Sequence, residues 1–333
     1  MKPSQIIPVR LKNRRPFFWI LCAGVSTGLL LVVLRRVNLE SLAECLRRVR
    51  VGGVLMAFVA FGAACALGAI RWRLMLRIKG LSTGYPPCLR ATLAGHFCNT
   101  LLFGPAGGDL VKSFLFGRWH RLPLADILAA SWLDRLVAGI GSLIFAVGVL
   151  ILMDPGSLPR LAWKSPPSHV SIFVGMGMVL VILAFWAGRS AQRKSSLLHP
   201  LYSLQTGLKQ LCLSPGVAGG GVALGVLVQV LLSAVLMLNL RAITETDLEW
   251  IKLFWTFPVI SLLTALPISV AGLGVRESSA VLLLGWFGVP AAEAIAASLL
   301  TLVCNLSWAA WGAGLLLGEE RRASADFSNK SLE

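Results

Sequence analysis

Long uncharged apolar runs alternate with short basic stretches along this chain. Six runs, Phe17–Leu34, Val51–Ile70, Leu136–Met153, Val170–Gly188, Gly216–Leu240 and Ala294–Gly318, approach the ~20 apolar residues that cross a hydrocarbon core. Two further regions, Ala91–Phe116 and Leu253–Trp286, are broken near their centres by glycine, proline and charge. Irregular backbone at membrane depth persists only when buried in protein or lining a wet cavity, so each reads as a re-entrant helical hairpin. Between the first two spans, Leu39, Leu42, Leu46 and Val49 recur against Arg47, Arg48 and Arg50, the spacing of an amphipathic helix lying on a surface. The pattern predicts an all-α polytopic integral membrane protein with about six full spans and two Gly/Pro-broken hairpins.

Composition agrees. Of 333 residues, 56% are hydrophobic and 14% charged, with a mean hydropathy of +0.77, whereas soluble domains carry about 25% charged residues. The net charge of +16 does not call for nucleic acid. Basic residues flank the spans, where cytoplasmic loops and anionic headgroups favour them. With a cytoplasmic N-terminus most of them fall inside, including Arg71, Arg73, Arg77 and Lys79, and the acidic loop Arg241–Trp250 falls outside; only the arginine-rich loop Arg35–Arg50 runs against this orientation. Arg10, Lys12, Arg14 and Arg15 precede the first apolar run, but no small-x-small cleavage site follows, which predicts an uncleaved first span. The seven cysteines form no CxxC and read as small apolar packing residues. No cofactor or metal is expected. The expected division is a basic cytoplasmic tail over 1–16, one transmembrane domain over 17–318, and a polar disordered tail over 319–333, itself cytoplasmic.

An internal repeat shapes the domain. "LPLADILAASWL" (122–133) aligns with "VPAAEAIAASLL" (289–300), pairing Pro123 with Pro290, Asp126 with Glu293 and Ser131 with Ser298. Each reads as a helix start, with proline in the first turn and an acid near the positive end of the dipole. Upstream, "FGPAGGDLVK" (103–112) and "LPISVAGLGVRE" (266–277) share an apolar run, a proline, paired glycines and a charge. Repeats of about 17–167 and 184–318 would then be inverted across the membrane, an arrangement of transporters whose sites lie between broken helices.

The charges inside this apolar frame are the candidate site. Arg276 and Glu277 are the only ionisable residues from Leu253 to Ala292, and a mid-membrane arginine costs between ~2.5 and ~17 kcal/mol. Pro267, Gly272 and Gly274 bend the backbone ahead of them, and the half-helix after them offers N–H groups to an anion. In the first hairpin, Pro105, Gly107 and Gly108 precede Asp109, a candidate N-cap, with Lys112 one turn on. Asp134 and Arg135 interrupt the apolar run that follows; set about 100° apart on a helix, they seek partners on other elements. Two readings of these residues stand: an ion-pair lock between the repeats, or a site for an anionic headgroup, with Arg276 equally suited as counter-charge to Asp109 or Asp134. His96 and Asn99 read as helix-packing residues, and "RWRLMLRIKG" (71–80) as a basic topology anchor. There is no HExxH, no GxSxG and no phosphate loop, so hydrolysis is not indicated and no enzyme is expected.

"RWRLMLRIKG", "FCNTLLFGPAGGDLVKSFLF", "LDRLVAG" and "LPISVAGLGVRESSAVLLL" together resemble the lysylphosphatidylglycerol synthase transmembrane, or flippase-like, family. The likeness covers Phe17–Gly318. It aligns the family's Pro-x-Gly-Gly-Asp with Pro105 to Asp109, its acid-Arg pair with Asp134 and Arg135, and its Gly-x-Gly-x-Arg-Glu with Gly272 to Glu277. Many members carry arginine soon after Gly-Gly-Asp, whereas this chain has Lys112 and then Arg118. The resemblance implies a bacterial inner-membrane protein that moves an anionic phospholipid or polyprenyl-phosphate lipid. Arg135, Arg276 and Lys112 would meet the headgroup, and Asp109, Asp134 and Glu277 would balance them. With only a polar tail after the last apolar run, the aminoacyltransferase activity of the full-length enzymes is not expected. The partners implied are membrane lipids; a second reading makes the chain a non-transporting partner that docks a glycosyltransferase or lipid-modifying enzyme. An oligomer is compatible with either.

Overall fold

The computed structural model describes residues 27–28, 39–100, 104–152, 199–244, 250–264 and 272–330. The expected basic tail over 1–16, the expected span Phe17–Leu34 apart from residues 27–28, the expected span Val170–Gly188, and Pro267 lie outside these. The described residues form helices joined by short turns, with no strand among them: α1 (Leu39–Arg47), α2 (Val51–Ile78), α3 (Tyr85–Cys98), α4 (Gly104–His120), α5 (Leu124–Leu152), α6 (His199–Leu213), α7 (Pro215–Arg241), α8 (Trp250–Leu253), α9 (Thr256–Thr264), α10 (Val275–Gly285) and α11 (Ala291–Lys330). Four of them, α2, α5, α7 and α11, are long and apolar enough to cross a membrane. The broken region Ala91–Phe116 is the pair α3 and α4, and Leu253–Trp286 becomes α8, α9 and α10.

Two boundaries differ from the sequence expectation. The second span does not stop at Ile70: α2 continues through Arg71, Arg73 and Arg77. The stretch 319–330, expected as a disordered tail, extends α11. Glu319, Glu320, Arg321, Arg322 and Ala323 are all good helix formers, and they propagate the helix they follow.

The elements fall in the same order twice. Shifted as the two Pro-containing stretches align, α1 lies over α6, α2 over α7, α3 over α8 and α9, α4 over α10, and Leu124 at the start of α5 lies over Ala291 at the start of α11. Packing follows the correspondence. α2 and α7 form the most extensive pair, α2 on α5 is matched by α7 on α11, α5 on α7 by α11 on α2, and α4 on α5 by α10 on α11. Each half has its own apolar core, around Trp72, Met75, Phe116, Ile127 and Leu133 in the first and Leu236, Leu240, Ile260, Leu283 and Ile295 in the second.

The matched crossings are solved differently. Where α5 meets α7, Gly141 lies so near the Gly225 backbone that a Cβ there would stand 2.7 Å from its carbonyl carbon. Where α11 meets α2, Trp308 fills the space above Gly62, stacks on Phe58 at 5.1 Å and donates its indole N–H to the Phe58 carbonyl at 2.9 Å.

Candidate functional site

The charges of the first half gather where α2, α4 and α5 meet. Asp134 on α5 accepts from two nitrogens of Arg71 on α2, with Nε to Oδ1 at 2.7 Å and Nη2 to Oδ2 at 3.3 Å, and both residues are buried. Such a fork holds both planes in register and satisfies the carboxylate in a medium without water. One turn earlier on α5, the Ser131 hydroxyl accepts from the Trp72 indole at 3.0 Å and lies 2.9 Å from Ser113 on α4. The basic stretch 71–80 is therefore not uniformly an interfacial anchor. Arg71 turns inward, Arg73 donates to the Thr83 carbonyl, and Lys79 ties Asp126 to α6 through Thr206 and the Ser203 carbonyl. Arg71 belongs to the site although the sequence reading placed it elsewhere.

Asp109 is set by the α3–α4 hairpin. Gly108 donates its N–H to Asn99 Oδ1 at 2.9 Å, and a Cβ at Gly108 would strike the Gly95 carbonyl and the Asn99 side chain. Glycine is required there by the closeness of the two backbones. Asp109 is not the N-cap of a half-helix, because α4 begins upstream at Gly104, taking Pro105 and Gly107 into its first turn. Its carboxylate lies between two cations, accepting from Arg135 Nε at 2.5 Å and standing 3.5 Å from Lys112 Nζ. The two cations differ in setting. Lys112 is 7% exposed and held 4.3 Å above the Trp72 ring, a cation–π contact. Arg135 is 46% exposed.

The second half is built more tightly. Gly272 and Gly274 have φ of 75° and 81°, the left-handed region that glycine enters without steric cost, and α10 starts immediately after. Glu277 is 1% exposed. Its Oε2 accepts from the Gly274 N–H at 2.7 Å, and its Oε1 accepts from Arg276 Nη2 at 2.8 Å and Nε at 3.1 Å. The Ser298 hydroxyl on α11 touches both, 3.2 Å from Arg276 Nε and 3.3 Å from Glu277 Oε1. Arg276 is thus paired with its own neighbour, and neither Asp109 nor Asp134 is its counter-charge. The backbone N–H of Ser278, expected to be open to an anion, donates to the Gly274 carbonyl at 2.9 Å, and that of Arg276 donates to the Gly272 carbonyl at 2.9 Å.

His96 and Asn99 sit as packing residues: His96 lies 5.4 Å from the Phe61 ring, and beside it Thr100 bonds Asn305 across to α11. Two cavities lined by described residues lie away from this chemistry. One of about 300 Å³ is lined by Ser41, Glu44, Arg48 and Glu293, and another of about 380 Å³ by Arg77, Gln210 and Ser214.

The comparison with known families gives a match over nearly the whole chain. The model of the lysylphosphatidylglycerol synthase TM region matches residues 19–312. No curated protein matches the chain.

Proposed function

As the chain belongs to the lysylphosphatidylglycerol synthase TM-region family, whose domains are multi-pass and often flippase-like, we propose that it translocates, or assists in translocating, an anionic lipid headgroup. The lipid class is an anionic phospholipid or a polyprenyl-phosphate lipid, and the membrane is the bacterial inner membrane. The two halves are read as inverted repeats with both termini cytoplasmic and the hairpins re-entrant from opposite faces. One observation carries the reading: ion pairs sit at corresponding broken helices of both halves, Asp109 on α4 with Arg135 on α5, and Arg276 with Glu277 on α10. Charges at such positions mark substrate paths far more often than they add stability.

The roles assigned are unequal. Arg135 meets the headgroup, Lys112 and Asp109 set its charge, and Arg276 with Glu277 holds the second half in register while Arg71 and Asp134 do so in the first. The test is transfer of fluorescent lipids in proteoliposomes, comparing wild type with Arg135→Gln and Arg276→Gln at equal reconstitution. Transfer that is lost in Arg135→Gln supports a charge-lined path. A wild type that moves none of a panel of anionic and polyprenyl-phosphate lipids sinks it. The second reading, a non-transporting partner of a membrane enzyme, draws on the pairing itself, since each candidate charge already has a protein partner. Under it, reversing a pair, Asp109→Arg with Arg135→Asp, restores function; under translocation it does not.

A further inference from the structure

Lys79 shows how the first half treats the acid at the start of α5. Its ammonium stands 3.3 Å from Asp126 Oδ1 and donates to the Ser203 carbonyl and the Thr206 hydroxyl on α6, each at 3.0 Å, with the side chain 7% exposed. One primary ammonium thus ties α6 to the first turn of α5. The second half repeats the frame without that lysine. Glu293 holds the place of Asp126 in the first turn of α11, and α1, the counterpart of α6, packs on α11 with Leu42 in the core beside Ala294 and Ile295. The position of Lys79 falls on Thr246, and the sequence has no lysine or arginine from Ala242 to Ile251. Glu293 Oε2 is shielded from solvent and has no hydrogen-bond partner among the described residues, a costly condition for a carboxylate oxygen.

Between α1 and the start of α11 lies the cavity of about 300 Å³, lined by Glu293 together with Ser41, Glu44, Cys45 and Arg48. Arg48 does not answer Glu293, because it is engaged by Glu44 one turn before it. With side chains 66% and 61% exposed that pair is weak, and Glu44 can share a second donor. We propose that this cavity binds the primary ammonium group of a ligand, which joins Glu293 on α11 to Glu44 on α1 and fastens α1 to the bundle as Lys79 fastens α6. The site shares no residue with the Asp109–Arg135 pair and does not depend on translocation. The lining selects the chemistry. A primary ammonium brings three donors and no acceptor, which suits two carboxylates and the Ser41 hydroxyl. A quaternary ammonium has no N–H for the shielded oxygen, and no aromatic ring among the lining residues offers it a cage. No three metal-ligating groups gather among the described residues, which disfavours a divalent ion. The volume is about ten times the ~30 Å³ share of a water molecule, room for an aminoalkyl arm. Two carriers present that group, an aminophospholipid headgroup beside the amphipathic α1 and a free polyamine.

The test measures binding without transport. Full-length protein in a neutral detergent is titrated with putrescine by calorimetry and with acyl-labelled phosphatidylethanolamine by anisotropy, beside phosphatidylcholine as the quaternary control. Glu293→Gln should weaken binding of the ammonium ligand by about tenfold or more, the worth of a hydrogen bond to a charged group. Phosphatidylcholine should bind wild type and Glu293→Gln alike. Putrescine that binds and displaces the lipid assigns a free-amine site, and lipid binding that putrescine does not displace assigns an aminophospholipid headgroup; either supports the site. Melting without ligand supplies a second reading. Glu293 has no partner to lose, so Glu293→Gln should melt at or above wild type, whereas Asp126→Asn deprives Lys79 of its carboxylate and should melt lower. Equal binding of both amines by wild type and Glu293→Gln overturns the site, and so does a loss of phosphatidylcholine binding that matches the loss of phosphatidylethanolamine. Glu293→Gln melting below wild type, with an effect that disappears in an Arg48→Gln background, makes Arg48 the counter-ion and overturns it as well. An Asp126→Asn protein that melts as wild type overturns the parallel with Lys79 on which the choice of an ammonium rests.

Discussion

Asp134→Asn isolates the largest electrostatic commitment in the first half. The substitution keeps the shape and one acceptor but removes the charge facing Arg71, whose Nε and Nη2 stand 2.7 and 3.3 Å from the carboxylate. Both side chains are only 11% exposed, so screening by water relieves little of the loss. Breaking a buried pair by neutralising one partner costs ~3–5 kcal/mol, mostly because the other charge is left uncompensated. Removing both charges is a different matter, since well-packed neutral groups of similar volume are often equal or better. The chain carries its own example. At the matching crossing of α7 and α11, Asp134 corresponds to Thr301, and Trp72 to Asn239, and there a neutral bond from Asn239 Nδ2 to Thr301 Oγ1, of 3.1 Å, joins the helices. We therefore expect Asp134→Asn to lose ~3–5 kcal/mol, and Arg71→Leu with Asp134→Thr to recover most of it. Reversible unfolding in mixed micelles, followed through the tryptophan emission as a double-mutant cycle, gives the coupling directly. A single-mutant loss below ~0.5 kcal/mol, the range of ordinary surface changes, refutes the argument, as does a coupling near zero.

Gly108→Ala should prevent the α3–α4 hairpin from closing, since its Cβ meets the Gly95 carbonyl, whereas Gly148→Ala, with nothing within 4 Å, should be neutral; yield of folded protein by size-exclusion chromatography separates them. Gly272→Ala should cost ~1–3 kcal/mol, because its φ of 75° is strained for any other residue and the new Cβ meets Thr264 at 3.2 Å; thermal unfolding reads the loss. Ser298→Ala removes the hydroxyl shared by Arg276 and Glu277 and should cost ~1 kcal/mol, the usual worth of such a bond, while Ser307→Ala, whose hydroxyl bonds only its own helix, should cost less in the same assay. On the surface helix α1, burial and then the carboxylates of Glu293 and Glu44 push the Cys45 thiol above its ordinary value. The thiolate reacts, so maleimide labelling of Cys45 should rise with pH across the alkaline range, and Glu293→Gln should accelerate it at a fixed pH near 8.

What the pattern of residues made legible was whatever a single helix decides for itself. The amphipathic spacing of Leu39, Leu42 and Leu46 gives α1, with Leu42 buried, and the uncharged runs give α2, α5, α7 and α11. The glycine and proline breaks fall where α3 passes to α4 and α9 to α10. Partner choice was not legible. Arg71 lies 63 residues from Asp134, and only the packing of α2 on α5 turns it inward; a basic run after an apolar one reads the same whether it faces headgroups or a buried acid. The clue available was the acid itself, since a buried Asp134 requires a cation and an arginine adjoining an apolar span can supply it. Arg276 with Glu277 deceived for another reason. Adjacent side chains diverge in mid-helix, but in the first turn of α10 no preceding turn blocks them, so two long side chains can fold toward each other.

The two halves share a plan and differ in charge. At the α2–α5 crossing the first half uses an ion pair, and at the α7–α11 crossing the second uses an amide and a hydroxyl. At the broken helix the order reverses in exposure: Glu277 is sealed by Gly274, Arg276 and Ser298, whereas Asp109 and Arg135 reach the surface. A site that must exchange partners needs a counter-charge that tolerates being left, and Asp109, with Lys112 behind it, is the acid so equipped among the pairs described. Glu277 is not, because losing Arg276 would leave its buried carboxylate with only a glycine N–H and a serine hydroxyl, a cost of several kcal/mol. The same argument applies to Asp134 and Arg71. On the function proposed, a ligand would therefore be met at the first half's broken helix, whose pair can open, while the second half's pair, sealed around Glu277, would hold its shape.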